Sequence, residues 1–484
     1  MPRLSAGLVD SHGPRGLYHA QCFRPALGTV FIKDDLQPLT TGPDVTHTTP
    51  RPLSASLSRP LSGTCRVPGD KSISHRSLIF GALATGRTRI TGLLEAEDVI
   101  NTAKAVTALG SPATKTAEGW EVLGRGVGGL TQPAEALDFG NSGTGTRLMM
   151  GVIAGHAITV EMHGDASLSR RPMSRVLKPL KQMGLEVVDD RETLPLTIRG
   201  TGDLVPIEYV LPVPSAQVKS AILIAGLAAS GETTVVEKEP TRDHTERMLR
   251  YFGADVRTEA VGALTRITVR GNAELEGRDV TVPGDPSSAA FLAAAAVIVP
   301  GSEVTIEGIL TNPTRTGFYL TLQEMGADVA FLNEREEGGE PIADIRVRAS
   351  SLKGVSVPAE RAPSMIDEYP VLAVVASFAQ GETRMNGLAE LKVKESDRLA
   401  ATAAGLVANG VAATIDGDTL IVNGNGQVTG GGTVATHLDH RIAMAFLTMG
   451  LASAKPVTVD DTQMIATSFP EFRGLMEQLG AQYA

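Results

Sequence analysis

The feature that most constrains the fold of this chain is an internal repeat. Segments of one kind recur six times, each a helical stretch that runs into glycine: "INTAKAVTALG" at Gly110, "VLKPLKQMG" at Gly184, "TERMLRYFG" at Gly253, "FYLTLQEMG" at Gly326, "LAATAAGLVANG" at Gly410 and "FRGLMEQLG" at Gly480. Successive glycines stand 74, 69, 73, 84 and 70 residues apart. In most copies apolar residues recur at three- and four-residue steps, the face of a core-packed helix, and the closing glycine suits a left-handed C-terminal cap. Several caps lead into short β-like runs, "LEVVD" after Gly184, "ADVRT" after Gly253 and "VAATI" after Gly410. A second helix precedes each of these and is itself followed by glycine and a β-branched run, as in "AILIAGLAASGETTVVE". Each unit therefore reads strand, helix, strand, strand, helix, strand. At long range, Val67-Pro-Gly-Asp70 with Ser72 and Gly86 matches Val282-Pro-Gly-Asp285 with Ser287 and Gly301, an offset of 215 residues. Two similar lobes of three units each are expected, residues 55–69 plus 284–484 and residues 70–283, with crossings near Val67–Lys71 and Val282–Asp285. Solenoid repeats run about 20–50 residues and are too short to match.

Residues 1–54 supply no repeat and no motif, and are read as a loosely ordered extension whose removal should leave activity and melting temperature nearly unchanged. They lack the pattern of a secretory signal, and Asp10, Asp34, Asp35 and Asp44 argue against a transit peptide. The longest apolar stretch, Ala289–Val299, is too short to span a membrane. A net charge of -10 is opposite to the footprint of a nucleic-acid binder. Two cysteines, Cys22 and Cys65, make neither a disulfide framework nor a zinc site, so a cytoplasmic setting is expected.

Against this acidic background, basic residues gather near helix starts beside Gly, Ser or Thr. In "PGDKSISHRS" the turn Pro68-Gly69-Asp70 opens a helix carrying Lys71, Ser72 and Arg76, so cations and a hydroxyl lie by free backbone N–H groups, an anion site. In "FGNSGTGTR" the backbone around Gly143 and Gly145 can approach a ligand closely, with Arg147 one turn in, although such a loop is as readily just a turn. It matches neither the P-loop nor the dinucleotide fingerprint, so no nucleotide is implied. Arg170 and Arg171 precede a proline that would start a helix, Ser215 and Gln217 mark another helix start, and Lys394, Glu395 and Arg398 fall within five residues. His440 and Arg441 close the series; His437 and His440 could ligate a metal, but no third ligand is near and no metal is expected. Asp367, in "PSMIDEYP", reads either as an N-cap or as a functional carboxylate. Many cations with one or two carboxylates suit a polyanionic substrate and a reaction that moves protons.

The strings "GDKSISHRS", "GNSGTGTRL", "RRPM", "SAQVKSA", "IDEYP", "KVKESDRL" and "DHRIAM", in this order from Gly69 to Met444, resemble the 5-enolpyruvylshikimate-3-phosphate synthase family. The resemblance covers about 430 residues and implies an α/β fold of two lobes, each of three βαββαβ units with helices inside and sheets outside, closing around substrates in the cleft. It implies transfer of the enolpyruvyl group of phosphoenolpyruvate to the 5-hydroxyl of shikimate 3-phosphate, with release of phosphate and without a cofactor, by a monomer. By that resemblance Lys71, Ser72, Arg76, Ser215, Ala216, Gln217, Arg242, Asp367 and Lys394 hold shikimate 3-phosphate. Lys71, Gly143, Arg171, Gln217, Arg398 and Arg441 hold phosphoenolpyruvate, and glyphosate is an expected inhibitor there. Asp367 would accept the hydroxyl proton, while Glu395, with Lys71 and Lys394 near, would protonate and deprotonate the methylene carbon. Where many members carry Ser-Lys-Thr-Phe-Pro, this chain reads "ATSFPEF" with Thr467, which resembles the second bacterial subgroup and leaves one phosphate contact without its lysine.

Two alternatives stand beside this reading. A sister transferase moves the same group to UDP-N-acetylglucosamine, but it opens with Lys-Asn and uses a loop cysteine, whereas this chain has Lys71-Ser72 and no cysteine after Cys65. A catalytically inactive ligand-binding relative would not need Lys71, Asp367 and Glu395 together.

Overall fold

In a computed structural model, residues 49–484 are described. All six repeat glycines adopt positive φ, between 82° and 118°, where a side chain would be strained. Each closes the second helix of a pair. In chain order the pairs are α1 (Lys71–Leu83) and α2 (Glu97–Ala108), α3 (Gly143–Ala154) and α4 (Ser174–Met183), α5 (Ala216–Gly226) and α6 (His244–Tyr251), α7 (Pro286–Ile298) and α8 (Gly317–Glu324), α9 (Tyr369–Ser377) and α10 (Arg398–Ala408), α11 (His440–Gly450) and α12 (Phe472–Leu479). The first helix of a pair is the more deeply buried: every residue of the alanine-rich α7 is buried, whereas α12 buries only Phe472, Met476 and Leu479. A helix apolar on all faces belongs inside, and a striped one lies over a core.

Among the described residues, six small sheets go with the six helix pairs. In the sheet around α5 and α6, Glu208–Val210 runs parallel to Glu232–Glu237, which pairs antiparallel with Leu264–Arg270, itself paired antiparallel with Val256–Val261. The order is therefore strand, helix, strand, helix, strand, strand, which corrects the expected order in the second half of the unit. A parallel pair needs a helical crossover, but an antiparallel pair needs only a tight turn, here Gly262 and Ala263, so both hairpin strands come after the second helix.

Buried apolar residues form two clusters. One takes Ala55–Val67 together with side chains from Ala289 to Ala481, and the other takes side chains from Ile73 to Val282, joined by Leu310. The chain passes between them twice, and the two passages pair with each other. Gly69 bridges Gly284, Asp70 N–H donates to the Pro283 carbonyl at 2.7 Å, and Asp285 N–H donates to the Pro68 carbonyl at 2.9 Å. This explains the repeated Val-Pro-Gly-Asp string: a Cβ at Gly69 would overlap the Gly92 carbonyl oxygen, so glycine is the residue the close approach allows.

The expected extension lies outside the described residues as far as residue 48, but its last residues do not behave as one. Leu53–Ser56 is an interior strand, paired with Val457–Val459 on one side and Gln482–Tyr483 on the other. Ser54 exchanges main-chain bonds with Ala484 at 3.0 and 2.8 Å, and Arg51 N–H donates to Asp461. The short strand "LSAS" carries little propensity of its own and is held by its neighbours. Deleting residues 1–54 is therefore expected to lower the melting temperature by more than about 5 °C, since several hydrogen bonds at ~1 kcal/mol each and the Leu53 packing are lost. Thermal unfolding of the truncated chain checks this; an unchanged midpoint would mean that the strand contributes nothing.

Candidate active site

Helix starts of the second cluster supply one wall. Asp70 caps α1 by accepting from Ile73 N–H at 2.8 Å, which fixes Lys71 and Ser72 in the first turn. Lys71 pairs with the Asp98 carboxylate of α2 and remains a quarter exposed. Arg76 is buried and fully engaged: Nε donates to Thr245 Oγ1 at 2.8 Å, Nη1 to the Ser72 carbonyl at 2.9 Å and Nη2 to Ser220 Oγ at 2.8 Å. Burial lowers its pKa to about 10. Ser215 caps α5 through Val218 N–H at 3.4 Å, and Ala216 and Gln217 come next in its first turn.

Ser142 caps α3, so Gly143 opens that helix. A Cβ on Gly143 would stand 2.9 Å from Arg147 Nη1 and 3.2 Å from Arg171 Nη1, so this glycine keeps the space between two guanidinium groups. Arg147 Nη1 donates to Gln217 Oε1 at 2.8 Å, and Gln217 Nε2 to Thr144 Oγ1 at 2.8 Å. Arg171 Nη2 donates to Asn141 Oδ1 at 2.6 Å, while its buried Nε has no partner. Arg170, by contrast, is exposed. Burial, with Arg171 and Arg175 nearby, brings Arg147 down to about 10. Among the described residues, no carboxylate lies within ion-pair distance of Arg147 or Arg171, so their charge is available to an anion.

The facing wall is built on Arg398, the first residue of α10, only 1% exposed. Its Nε donates to Asp439 at 2.7 Å, Nη1 to Asp367 at 3.1 Å and Nη2 to Glu395. One planar fork thus sets the positions of two candidate acid–base carboxylates. Asp367 does not cap α9; it sits in the turn Ile366–Glu368 ahead of that helix, where its side chain meets cations instead. Arg242 Nη2 donates to it at 2.8 Å, a contact between the two clusters, Lys394 Nζ lies 3.8 Å away, and Arg441 Nη1 donates to its main-chain carbonyl at 3.3 Å. Burial would raise the Asp367 pKa, but Lys394, Arg441, Arg242 and Arg398 outweigh it and hold the carboxyl well below the usual range. Glu395 is treated alike: burial opposes Arg398, Arg171 and Lys394, and the cations win. Burial pushes His440 down to about 3, so it is neutral at physiological pH.

The sequence-derived residues are thus brought together, with three differences in their engagement. Lys71 pairs with Asp98 rather than with Glu395, Arg398 already binds three carboxylates, and Arg76 is spent inside its own cluster. Asp98 carries no signal in the sequence, and Asn141 and Arg147 stand out in "GNSGTGTR" only by their place beside its glycines. His437 is exposed, whereas His440 is buried. Asp243, His244 and Glu340 do bring ligand atoms within 4.8 Å of one another, but these are taken up: His244 bonds Glu340 at 2.8 Å, and Asn312 donates to Asp243 at 2.6 Å and to Glu340 at 2.8 Å. No helix among the described residues is long and apolar enough to cross a membrane.

The chain matches the family model of EPSP synthase (3-phosphoshikimate 1-carboxyvinyltransferase) over residues 56–476. It is 62% identical over 440 residues to the 3-phosphoshikimate 1-carboxyvinyltransferase of Methylorubrum populi, covering 90% of this chain and 97% of that one. The corresponding protein of Parvibaculum lavamentivorans is 61% identical over 435 residues, 89% of this chain and 96% of its own. Among solved structures, EPSP synthase from Acinetobacter baumannii superposes with a TM-score of 0.81 at 45% identity, covering 90% of this chain and all of that one. The enolpyruvyl transferase NikO from Streptomyces tendae shares the fold, with a TM-score of 0.67 at 19% identity over 90% of this chain and 99% of its own. Six glycine-capped helix pairs, two cores and a cation-lined pair of carboxylates thus agree with the comparisons: the chain belongs to the EPSP synthase (3-phosphoshikimate 1-carboxyvinyltransferase) family.

Proposed function

We propose that the chain transfers the enolpyruvyl group of phosphoenolpyruvate to the 5-hydroxyl of shikimate 3-phosphate and releases phosphate. The observation that carries this reading is the pairing of Asp367 and Glu395 on one buried Arg398, opposite Arg147 and Arg171, which have no carboxylate of their own. We take the two apolar clusters as two lobes, residues 55–69 plus 284–484 and residues 70–283, with both substrates held between them.

In this reading Asp367 takes the proton of the 5-hydroxyl as its oxygen bonds to C2 of phosphoenolpyruvate, and Glu395 gives a proton to C3, which becomes a methyl group. Elimination reverses the carbon step: the C2–O bond to phosphate breaks, phosphate leaves with the proton that Asp367 took from the hydroxyl, and Glu395 removes a proton from C3. Both carboxyls are ionised in the free site because cations surround them. Phosphate and carboxylate groups arriving with the substrates offset that positive field, raising both pKa values toward the range where protons are exchanged. Shikimate 3-phosphate is assigned to Lys71, Ser72, Arg76, Ser215, Ala216, Gln217, Arg242 and Lys394, and phosphoenolpyruvate to Lys71, Gly143, Arg171, Gln217, Arg398 and Arg441. Arg398 would meet it by exchanging one carboxylate for the substrate's. The reading includes action as a cytoplasmic monomer on small molecules.

Gly143 separates substrate from the longer anion glyphosate. A methyl group there presses on Arg147 and Arg171. Gly143→Ala is therefore expected to weaken glyphosate more than phosphoenolpyruvate, shifting the preference by roughly 5- to 150-fold for an overpacking cost of ~1–3 kcal/mol. Competition kinetics measure it; equal rises in the inhibition constant and the Michaelis constant would place Gly143 away from the point where the two ligands differ. The assignment as a whole is tested by calorimetric titration. Shikimate 3-phosphate should bind the free chain and glyphosate should bind in its presence, whereas binding of UDP-N-acetylglucosamine with none of the shikimate ester would overturn it.

A further inference from the structure

Ser287 and Glu368 belong to neither substrate site, yet they join the two walls. Glu368, next to Asp367 in sequence, is buried, with 2% of its surface exposed. Its Oε1 accepts from Ser287 Oγ and lies 3.9 Å from Arg441 Nη1, the nitrogen that donates to the Asp367 carbonyl. Ser287, in the first turn of α7, also accepts from Arg315 Nη2 at 3.1 Å. Arg315, itself buried, pairs with Asp285 at 2.9 Å and with Asp70 at 2.6 Å. Asp70 caps α1 immediately before Lys71. A line of charge-assisted contacts thus runs from the first turn of α1, through the passage between the clusters, to Arg441 on the opposite wall.

Asp70, Asp285, Ser287, Arg315 and Glu368 are buried and Arg441, at the end of the line, is 13% exposed; in such surroundings a charge without its partner is costly and a guanidinium keeps the orientation its partners give it. Arg441 is useful to an anionic substrate only while its fork faces the pocket. Glu368 and the Asp367 carbonyl hold Nη1 from one side. Burial holds the Glu368 carboxyl above its usual pKa, with Asp367 adding to the rise and Arg441 and Arg315 opposing it.

We propose that Ser287 and Glu368 are positioning residues for the phosphoenolpyruvate site, tying Arg441 to the passage between the lobes through Arg315, so that the orientation of Arg441 is coupled to the seating of α1 and Lys71. The proposal rests on the proposed enolpyruvyl transfer at this site. Turnover by the unmodified full-length chain tests that reaction separately, and the variants test the positioning role by difference. Ser287→Ala and Glu368→Gln are each expected to raise the Michaelis constant for phosphoenolpyruvate by roughly tenfold, the loss of about one charge-assisted bond, while turnover at saturation and shikimate 3-phosphate binding stay within about twofold. Ser287→Thr keeps the hydroxyl and should restore the native constant. Combined with Arg441→Lys, Glu368→Gln should cost far less than the product of the two single losses, because both changes remove one interaction. Equal weakening of both substrates, an unchanged constant for phosphoenolpyruvate, or multiplying losses would overturn the proposal. If Glu368→Gln fails to fold, Ser287→Ala, which removes a single hydroxyl, decides the matter by the same criteria.

Discussion

Asp367→Asn is expected to cut turnover by roughly 10²–10⁴-fold, the usual contribution of a positioned general base, while leaving shikimate 3-phosphate bound more nearly as before. Asparagine keeps the shape, but its single oxygen can accept from Arg242 or from Arg398, not from both, and it cannot take the proton of the attacking hydroxyl. Glu395→Gln is expected to fall in the same range through the carbon step, since glutamine neither gives the C3 proton nor takes it back. The two losses should not multiply, because Asp367 and Glu395 are fixed by the same guanidinium and act in one sequence. Steady-state kinetics with calorimetric binding of shikimate 3-phosphate separates turnover from affinity. Near-normal turnover in both variants would move the acid–base role to Lys71 or another group.

Arg315→Met should have the largest effect on stability. Arg315 stands between Asp70 and Asp285, which cap α1 and α7 in the two clusters. The two carboxyls respond in opposite ways to the shared cation. Burial disfavours both, but Asp70, helped by Arg315, His244 and the Ile73 amide, is held well below the usual carboxylate range, whereas Asp285, facing the charge of Asp70, is raised. We place the firmer negative charge on Asp70, which has the closer contact. Methionine fills the volume and leaves two buried carboxyls facing one another. Breaking a buried pair this way costs about 3–5 kcal/mol, and at roughly 2–4 °C per kcal/mol for domains of 150–250 residues the midpoint should fall by about 6–20 °C. Thermal unfolding at neutral pH measures it; a fall under about 3 °C would show that the passage does not depend on this pairing.

The six-fold repeat is legible because each unit writes its own punctuation. A glycine after a helical face needs only local chemistry to be read as a left-handed cap, and all six are. The order of strands within a unit is less legible, because a run such as Val256–Val261 looks the same whether its partner is the strand before it or the strand after it; the turn at Gly262 decides for the latter. The strand Leu53–Ser56 escapes notice for a different reason, since its role comes from a sheet closed by residues more than 400 positions away. In the site, residues at helix starts can be found, because cap and charge lie close in sequence. Asp98, Arg315 and Glu368 cannot, because what each does depends on a partner well away from it in sequence: Lys71, the pair of caps, and Arg441. The local sequence leaves Asp367 between a cap and a catalytic group; the turn that precedes α9 removes the first reading.

The central claim is the reaction, and its products test it most directly. The full-length chain, incubated with shikimate 3-phosphate and phosphoenolpyruvate without added metal or nucleotide, should release one phosphate for each enolpyruvyl ether formed at the 5-oxygen, as measured by a phosphate assay with product identification by NMR. Release of no phosphate from this mixture, with turnover of UDP-N-acetylglucosamine and phosphoenolpyruvate by the same preparation, would contradict the assignment.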